Sequence, residues 1–293
     1  MRRVFLSFMT LLMPATAAAQ MEAAVDVGYD HDFVWRGLTR VTRPTFQPSV
    51  ALAWKAPRLM VSAGSWALIE PWTPRAGELT LAGRDAAVGE VDVWAQADYR
   101  LRFFSATIDA TGGWIGYTFH GSAGDGGLTS DWNTSELYLG LRLLGLRELY
   151  AVLGLPPDLP LGIESSVAVD LGPVGGTHLD AGLIAELPVF FIGEPFGAAT
   201  VRLASGWSWN QEALPDEPGY YSGEGITHLA LSAGLTPFFS IGGASTTLHL
   251  GGTLQLGFDE AARRRGPGPD DRSRLIGWID VALSVLLPLR RTE

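Results

Sequence analysis

Residues 22–37 read EAAVDVGYDHDFVWRG, and the alternation in this stretch decides the fold. Val25, Val27, Tyr29, His31, Phe33 and Trp35 fall on one face of an extended chain; Ala24, Asp26, Gly28, Asp30, Asp32 and Arg36 fall on the other. One face is apolar and aromatic, the other small or acidic. A period of two held well beyond the usual strand of about five or six residues suits a strand that divides oil from water. Strands of a soluble sandwich alternate too, so recurrence has to decide.

The pattern recurs along the chain. Phe46, Pro48, Val50, Leu52 and Trp54 alternate with Gln47, Ser49 and Lys55, and the turn at Ala56-Pro57-Arg58 leads to Leu59, Val61, Ala63 and Ala67. Val91, Val93, Ala95, Ala97 and Tyr99 oppose Glu90, Asp92, Gln96, Asp98 and Arg100. Phe104, Ala106, Ile108 and Ala110 oppose Asp109 and Thr111, and Leu137, Leu139, Leu141 and Leu143 oppose Glu136, Tyr138 and Arg142. Further strands are expected near 161–171, 177–190, 197–209, 224–236, 244–258 and 274–288. Residues 144–160 fit either a short extra strand or a connection with one helical turn; the connection is preferred because it keeps the strand number even. The sum is twelve strands. Short connections alternate with long ones near 70–89, 118–132, 210–222 and 259–273, the loop asymmetry of an outer-membrane barrel.

Bulk properties agree. Arg2 and Arg3, the apolar run Val4–Met13 and the small residues through Ala19 form a secretory leader over residues 1–19, with cleavage expected before Gln20 and the barrel over 20–293. No later segment supplies the roughly 20 apolar residues of a membrane helix, so a membrane-spanning form must be a barrel. The chain carries 21 Lys and Arg against 31 Asp and Glu, a net −10, and losing Arg2 and Arg3 with the leader takes it to about −12. Such a balance argues against nucleic acid as a partner. The absence of cysteine excludes thiol nucleophiles, disulfides and thiolate metal sites. Only 18% of residues are charged, below the usual quarter of a soluble domain.

The run Tyr29-Asp-His-Asp-Phe-Val-Trp35-Arg36-Gly37-Leu-Thr39, followed by a loop containing Pro44, resembles the opening signature of the TorF family of porin-type proteins. GYTF at 116–119, SELYLGLRL at 135–143 and LDAGLIAELP at 179–188 are similar to related proteobacterial outer-membrane proteins. The resemblance implies a barrel and a pore, and it carries no catalytic residues. Barrels of this kind often end on an aromatic residue that the assembly machinery reads; here Val281, Leu283, Val285, Leu287 and Leu289 alternate, but the chain then passes into Arg290–Glu293.

The acidic parity places Asp26, Asp30, Asp32, Asp92, Asp98, Asp109, Glu136, Glu164, Asp170, Asp180, Glu186 and Asp280 in the lumen, with Arg36, Lys55, Arg100, Arg142 and Arg202 as the inward bases. Charge of one sign along a narrow aqueous path enriches counter-ions and rejects co-ions. A cation-preferring lumen is one reading; carboxylates paired with arginines across a filled interior is the other. Trp35, Trp54, Trp72, Trp114, Trp207 and Trp209 lie near strand ends and are candidates for interfacial girdles.

Other constellations are weaker. Asp30, His31 and Asp32 cannot converge on a metal ion, because His31 faces away from both carboxylates in a strand. His228 and Ser232 share a face, with His249 on the next strand, but four strand residues span roughly 13 Å, too far for a nucleophile and its base. The Arg263–Arg272 loop reads as a solvated hairpin tip that could meet lipopolysaccharide phosphates. The expectation is a twelve-stranded outer-membrane channel for small hydrophilic solutes or ions, surrounded by lipid and lipopolysaccharide, inserted by the barrel assembly machinery, and without metal, cofactor or enzymatic activity. The rival is a non-conducting barrel with a structural, adhesion or envelope-maintenance role.

Overall fold

The computed structural model describes residues 20–31, 33–35, 38–41, 44–71, 87–103, 106–120, 133–154, 156, 159–172, 175–191, 194–209, 224–241, 244–258 and 275–289. The leader, Asp32, Arg36, Trp72 and the Arg263–Arg272 loop lie outside them.

In chain order the strands are β1 (Gln20–Asp30), β2 (Phe33–Trp35), β3 (Leu38–Val41), β4 (Thr45–Lys55), β5 (Leu59–Glu70), β6 (Ala87–Phe103) and β7 (Ala106–Phe119). They continue as β8 (Thr134–Leu144), β9 (Leu161–Asp170), β10 (Thr177–Phe191), β11 (Glu194–Trp209), β12 (Gly225–Ile241), β13 (Ala244–Gly257) and β14 (Leu275–Leu289). All but β2 and β3 form a closed antiparallel barrel in which each strand pairs with its neighbours in sequence and β1 pairs with β14. Barrel strands of 10 to 17 residues are long enough to cross a bilayer core at a tilt. Closure leaves no unpaired edge, which a chain in lipid requires.

Alternation along each strand becomes inside and outside. Val25, Val27, Val50, Leu52, Val93, Leu137, Leu139, Leu183, Val201 and Leu231 are exposed on the outer wall, where only lipid can cover so continuous an apolar surface. The fold is a transmembrane barrel. Both ends of the barrel sequence, Gln20 and Leu289, lie at the end where two or three residues separate β4 from β5, β6 from β7, β10 from β11 and β12 from β13, and where residues 145–160 join β8 to β9. The other connections, of which only 171–176 is short, lie at the opposite end.

Two expectations are refined. The opening stretch is not one strand through Gly37: β1 ends at Asp30, and Phe33–Trp35 pairs with Leu38–Val41 in a separate hairpin. Trp35 therefore does not belong to a barrel strand. The 144–160 segment is a connection that contains helix α1 (Arg147–Val152). The Tyr150 hydroxyl donates to the Leu161 carbonyl and ties α1 to the start of β9. Gly154 ends the turn at φ +68°, a left-handed conformation that costs a glycine little.

Candidate functional site in the lumen

Cross-strand register determines which inward side chains meet. Arg100 on β6, Asp109 on β7, Arg142 on β8 and Glu164 on β9 stand directly opposite one another in one row. Opposite charges on neighbouring strands are within contact distance in such a row. Arg100 donates to both oxygens of Asp109 at 2.6 and 3.0 Å. Arg142 donates to Glu186 on β10 at 2.6 Å and lies 3.9 Å from Glu164, while Arg202 on β11 pairs with the same Glu164. The result is a belt of alternating charge in which each guanidinium is matched by a carboxylate. It lines a cavity of about 660 Å³ at the short-turn end, together with Lys55, Arg58, Asp98, Thr111, Gly140 and Ser166. Lys55 is itself paired with Glu22.

The wall made by β14, β1 and β4 is different. Asp26 accepts from the Ser49 hydroxyl at 2.9 Å, Asp30 from the Gln47 amide at 2.5 Å, and Asp280 lies 2.9 Å from His249 Nε2. Asp30 stands opposite Asp280 in register. Among the described residues, these three carboxylates meet neutral donors or histidine and no Lys or Arg. On this wall Lys55 pairs with Glu22 toward the short turns, while Asp26, Asp30 and Asp280 follow further along the strands.

The remaining candidates occupy the same inward face. Asp98 accepts from Gln96 at 2.9 Å and Thr111 at 2.6 Å. Glu136 is buried and accepts from the Tyr117 hydroxyl at 2.8 Å, and Asp170 accepts from Thr134 and from the Gly172 and Gly175 amides. Asp92 is buried in the row Asp26, Ser49, Trp66, Asp92, Tyr117. Asp180 lies 3.0 Å from His178 Nε2 and 3.7 Å from His228 Nε2, and the two imidazoles stack with centroids 6.3 Å apart. Ser232 accepts from Thr253 while His228 Nδ1 pairs with Thr227, so the Ser and His engage separate partners.

Thr45, Ser208, Gln255 and Ile276, all near the long-loop end, are at most 1% exposed, and His178, Glu136, Phe119 and Leu68 at the same end are also buried. Glu22, Ser62 and Thr246 are buried toward the short turns, the end at which the cavity lies.

Trp54, Trp114 and Trp207 face outward and are exposed, with Trp54 at the short-turn end and Trp207 with Trp209 at the long-loop end of β11. Phe103, Phe190, Phe191, Phe238 and Phe239 form a larger exposed aromatic set at the short-turn end. Sequence reasoning passed over those phenylalanines, and also Trp66 and Trp94, which register places inside. The signal was present: Trp94 shares the parity of Asp92, Gln96 and Asp98.

The rings inside lie over glycines. A Cβ on Gly64 would stand 2.7 Å from the Trp94 indole, one on Gly113 2.5 Å from the Tyr138 hydroxyl, and one on Gly206 2.2 Å from the His228 imidazole. These rings are draped along the wall, which keeps large side chains off the axis.

No protein-family model and no curated relative matches the chain. Among solved structures it is similar to an outer-membrane channel from Pseudomonas putida F1, at a TM-score of 0.49 and 11% identity over 94% of this chain and 97% of that one. It is also similar to the KdgM porin, at a TM-score of 0.42 and 8% identity over 91% and 99% of the two chains. Outer membrane phospholipase A from Escherichia coli gives a TM-score of 0.38 and 14% identity over 94% and 93%.

Proposed function

We propose that the chain is an outer-membrane channel of the porin type, exported by its leader, that passes small hydrophilic solutes and ions and prefers cations. The observation that carries this reading is the wall of Asp26, Asp30 and Asp280, which has no Lys or Arg partner among the described residues, while Lys55, Arg100, Arg142 and Arg202 are each held by a carboxylate. Fixed negative charge along one side of a narrow aqueous path attracts cations, and the paired belt opposite contributes little net field. The apolar outer wall and the exposed phenylalanines at the short-turn end support seating in a bilayer. The resemblance of the opening segment to TorF proteins supports the porin reading from sequence. Lipid and lipopolysaccharide are the surroundings, with the assembly machinery as the partner in insertion. No enzymatic activity is assigned, since His228 and Ser232 bond to different neighbours.

The packed long-loop end favours a second reading, a non-conducting barrel that serves the envelope structurally or by adhesion. Reconstitution of purified protein in planar bilayers separates the two. Discrete conductance steps are expected; a folded barrel that inserts and never conducts supports the second reading.

A further inference from the structure

The inward positions of β6 run Trp94, Gln96, Asp98, Arg100: an aromatic ring, an amide, a carboxylate and a guanidinium in single file, leading from mid-lumen to the cavity. Successive members are two residues apart, roughly 6.6 Å along the strand. Tyr138 on β8 extends this file sideways, its hydroxyl donating to Gln96 Oε1 at 2.9 Å. The Trp94 indole lies across Gly64 and the Tyr138 ring end across Gly113, and both side chains are part-exposed on the inward face. Gly140 and Ser166, small residues in the register row of Asp98, leave the space in front of the file clear.

We propose that this file is a binding site for a neutral hydroxylated ring, a carbohydrate of mono- or disaccharide size. The proposal deepens the channel reading by naming a solute class, and rests on that reading for its transport meaning. Sugar rings have one face of C–H groups, which stacks on an aromatic ring, and a rim of hydroxyls, which both donate and accept. Gln96, Asp98 and Arg100 offer planar groups of both senses along that rim. The charges decide between solutes. Arg100 is neutralised by Asp109 and Arg142 by Glu186, so the belt offers an ion little net charge, whereas a neutral polyol adds hydrogen bonds at the donor and acceptor positions these pairs leave over. The cavity of about 660 Å³, which Asp98 and Arg100 line and which lies next along the strand from Gln96 and Trp94, is in the range of small-ligand sites.

Equilibrium titration of the full barrel in detergent with maltose and cellobiose, read by intrinsic tryptophan fluorescence and calorimetry, tests the site without requiring conduction. Millimolar binding of at least one of the two is expected, weakened about tenfold in Trp94→Leu and in Gln96→Ala. Both variants are first verified as folded by the gel shift between unheated and boiled protein, and choline chloride and sodium gluconate are expected to produce no competing titration. Absence of binding by the folded wild-type barrel up to about 100 mM of either sugar overturns the proposal. Equal affinity in the folded variants, or stronger binding of choline or gluconate, overturns it as well. A barrel that binds sugar but carries no current keeps the site and removes the channel.

Discussion

Gly64 is fixed by what lies on it. An added Cβ would come within 2.5 Å of the Val50 carbonyl and 2.7 Å of the Trp94 ring, and the backbone contact cannot yield cheaply. Gly64→Ala is expected to destabilise the barrel by about 1–3 kcal/mol through overpacking. Gly252→Ala, whose Cβ would meet only the Trp278 carbonyl at an ordinary 3.5 Å, is expected to stay within about 0.5 kcal/mol. Unfolding in urea followed by the gel shift checks both, and equal stability of the two variants would refute the draped-ring arrangement. At this scale the sequence disclosed which side chains face inward, since Asp26, Asp98, Arg100 and Arg142 follow parity alone. Their partners were not legible. Arg142 meets Glu186 across 44 residues, and Trp94 covers Gly64 rather than another glycine, because register between strands is a property of the pair.

At the scale of the strand, one residue of displacement exchanges lipid for lumen. Leu139 on β8 is 51% exposed on the outer wall, whereas Ser166, on the neighbouring β9, lines the cavity. Leu139→Arg is expected to cost about 2–4 kcal/mol in lipid or to block insertion, and Ser166→Arg to leave insertion intact. Folding into liposomes, scored by the gel shift, measures the difference; tolerance of Leu139→Arg would contradict the assigned face. Strand existence was legible because period-two alternation survives within each segment. The end of β1 was not: the hairpin Phe33–Val41 has the same period as a barrel strand, so the alternation runs past Asp30 without marking where pairing with β14 stops. The 144–160 segment was ambiguous for the opposite reason, since six helical residues are too few to show a helical period.

For the whole molecule, barrel closure brings acidic positions scattered through the sequence onto one inward surface. Counting strands and loop lengths was enough to anticipate twelve strands, because each connection links sequence neighbours. The place of the cavity was not legible, since which inward side chains are buried and where space is left depend on how all strands stagger around the axis. The proposed selectivity turns on the net field of that interior. The most direct test is the zero-current potential of reconstituted protein across a KCl gradient of about tenfold, for the wild type and for Asp26→Asn with Asp280→Asn. A potential of the sign set by K⁺, falling toward zero in the double variant, is expected; a potential set by Cl⁻, or one that the double variant leaves unchanged, would contradict a cation path along the β14–β1–β4 wall.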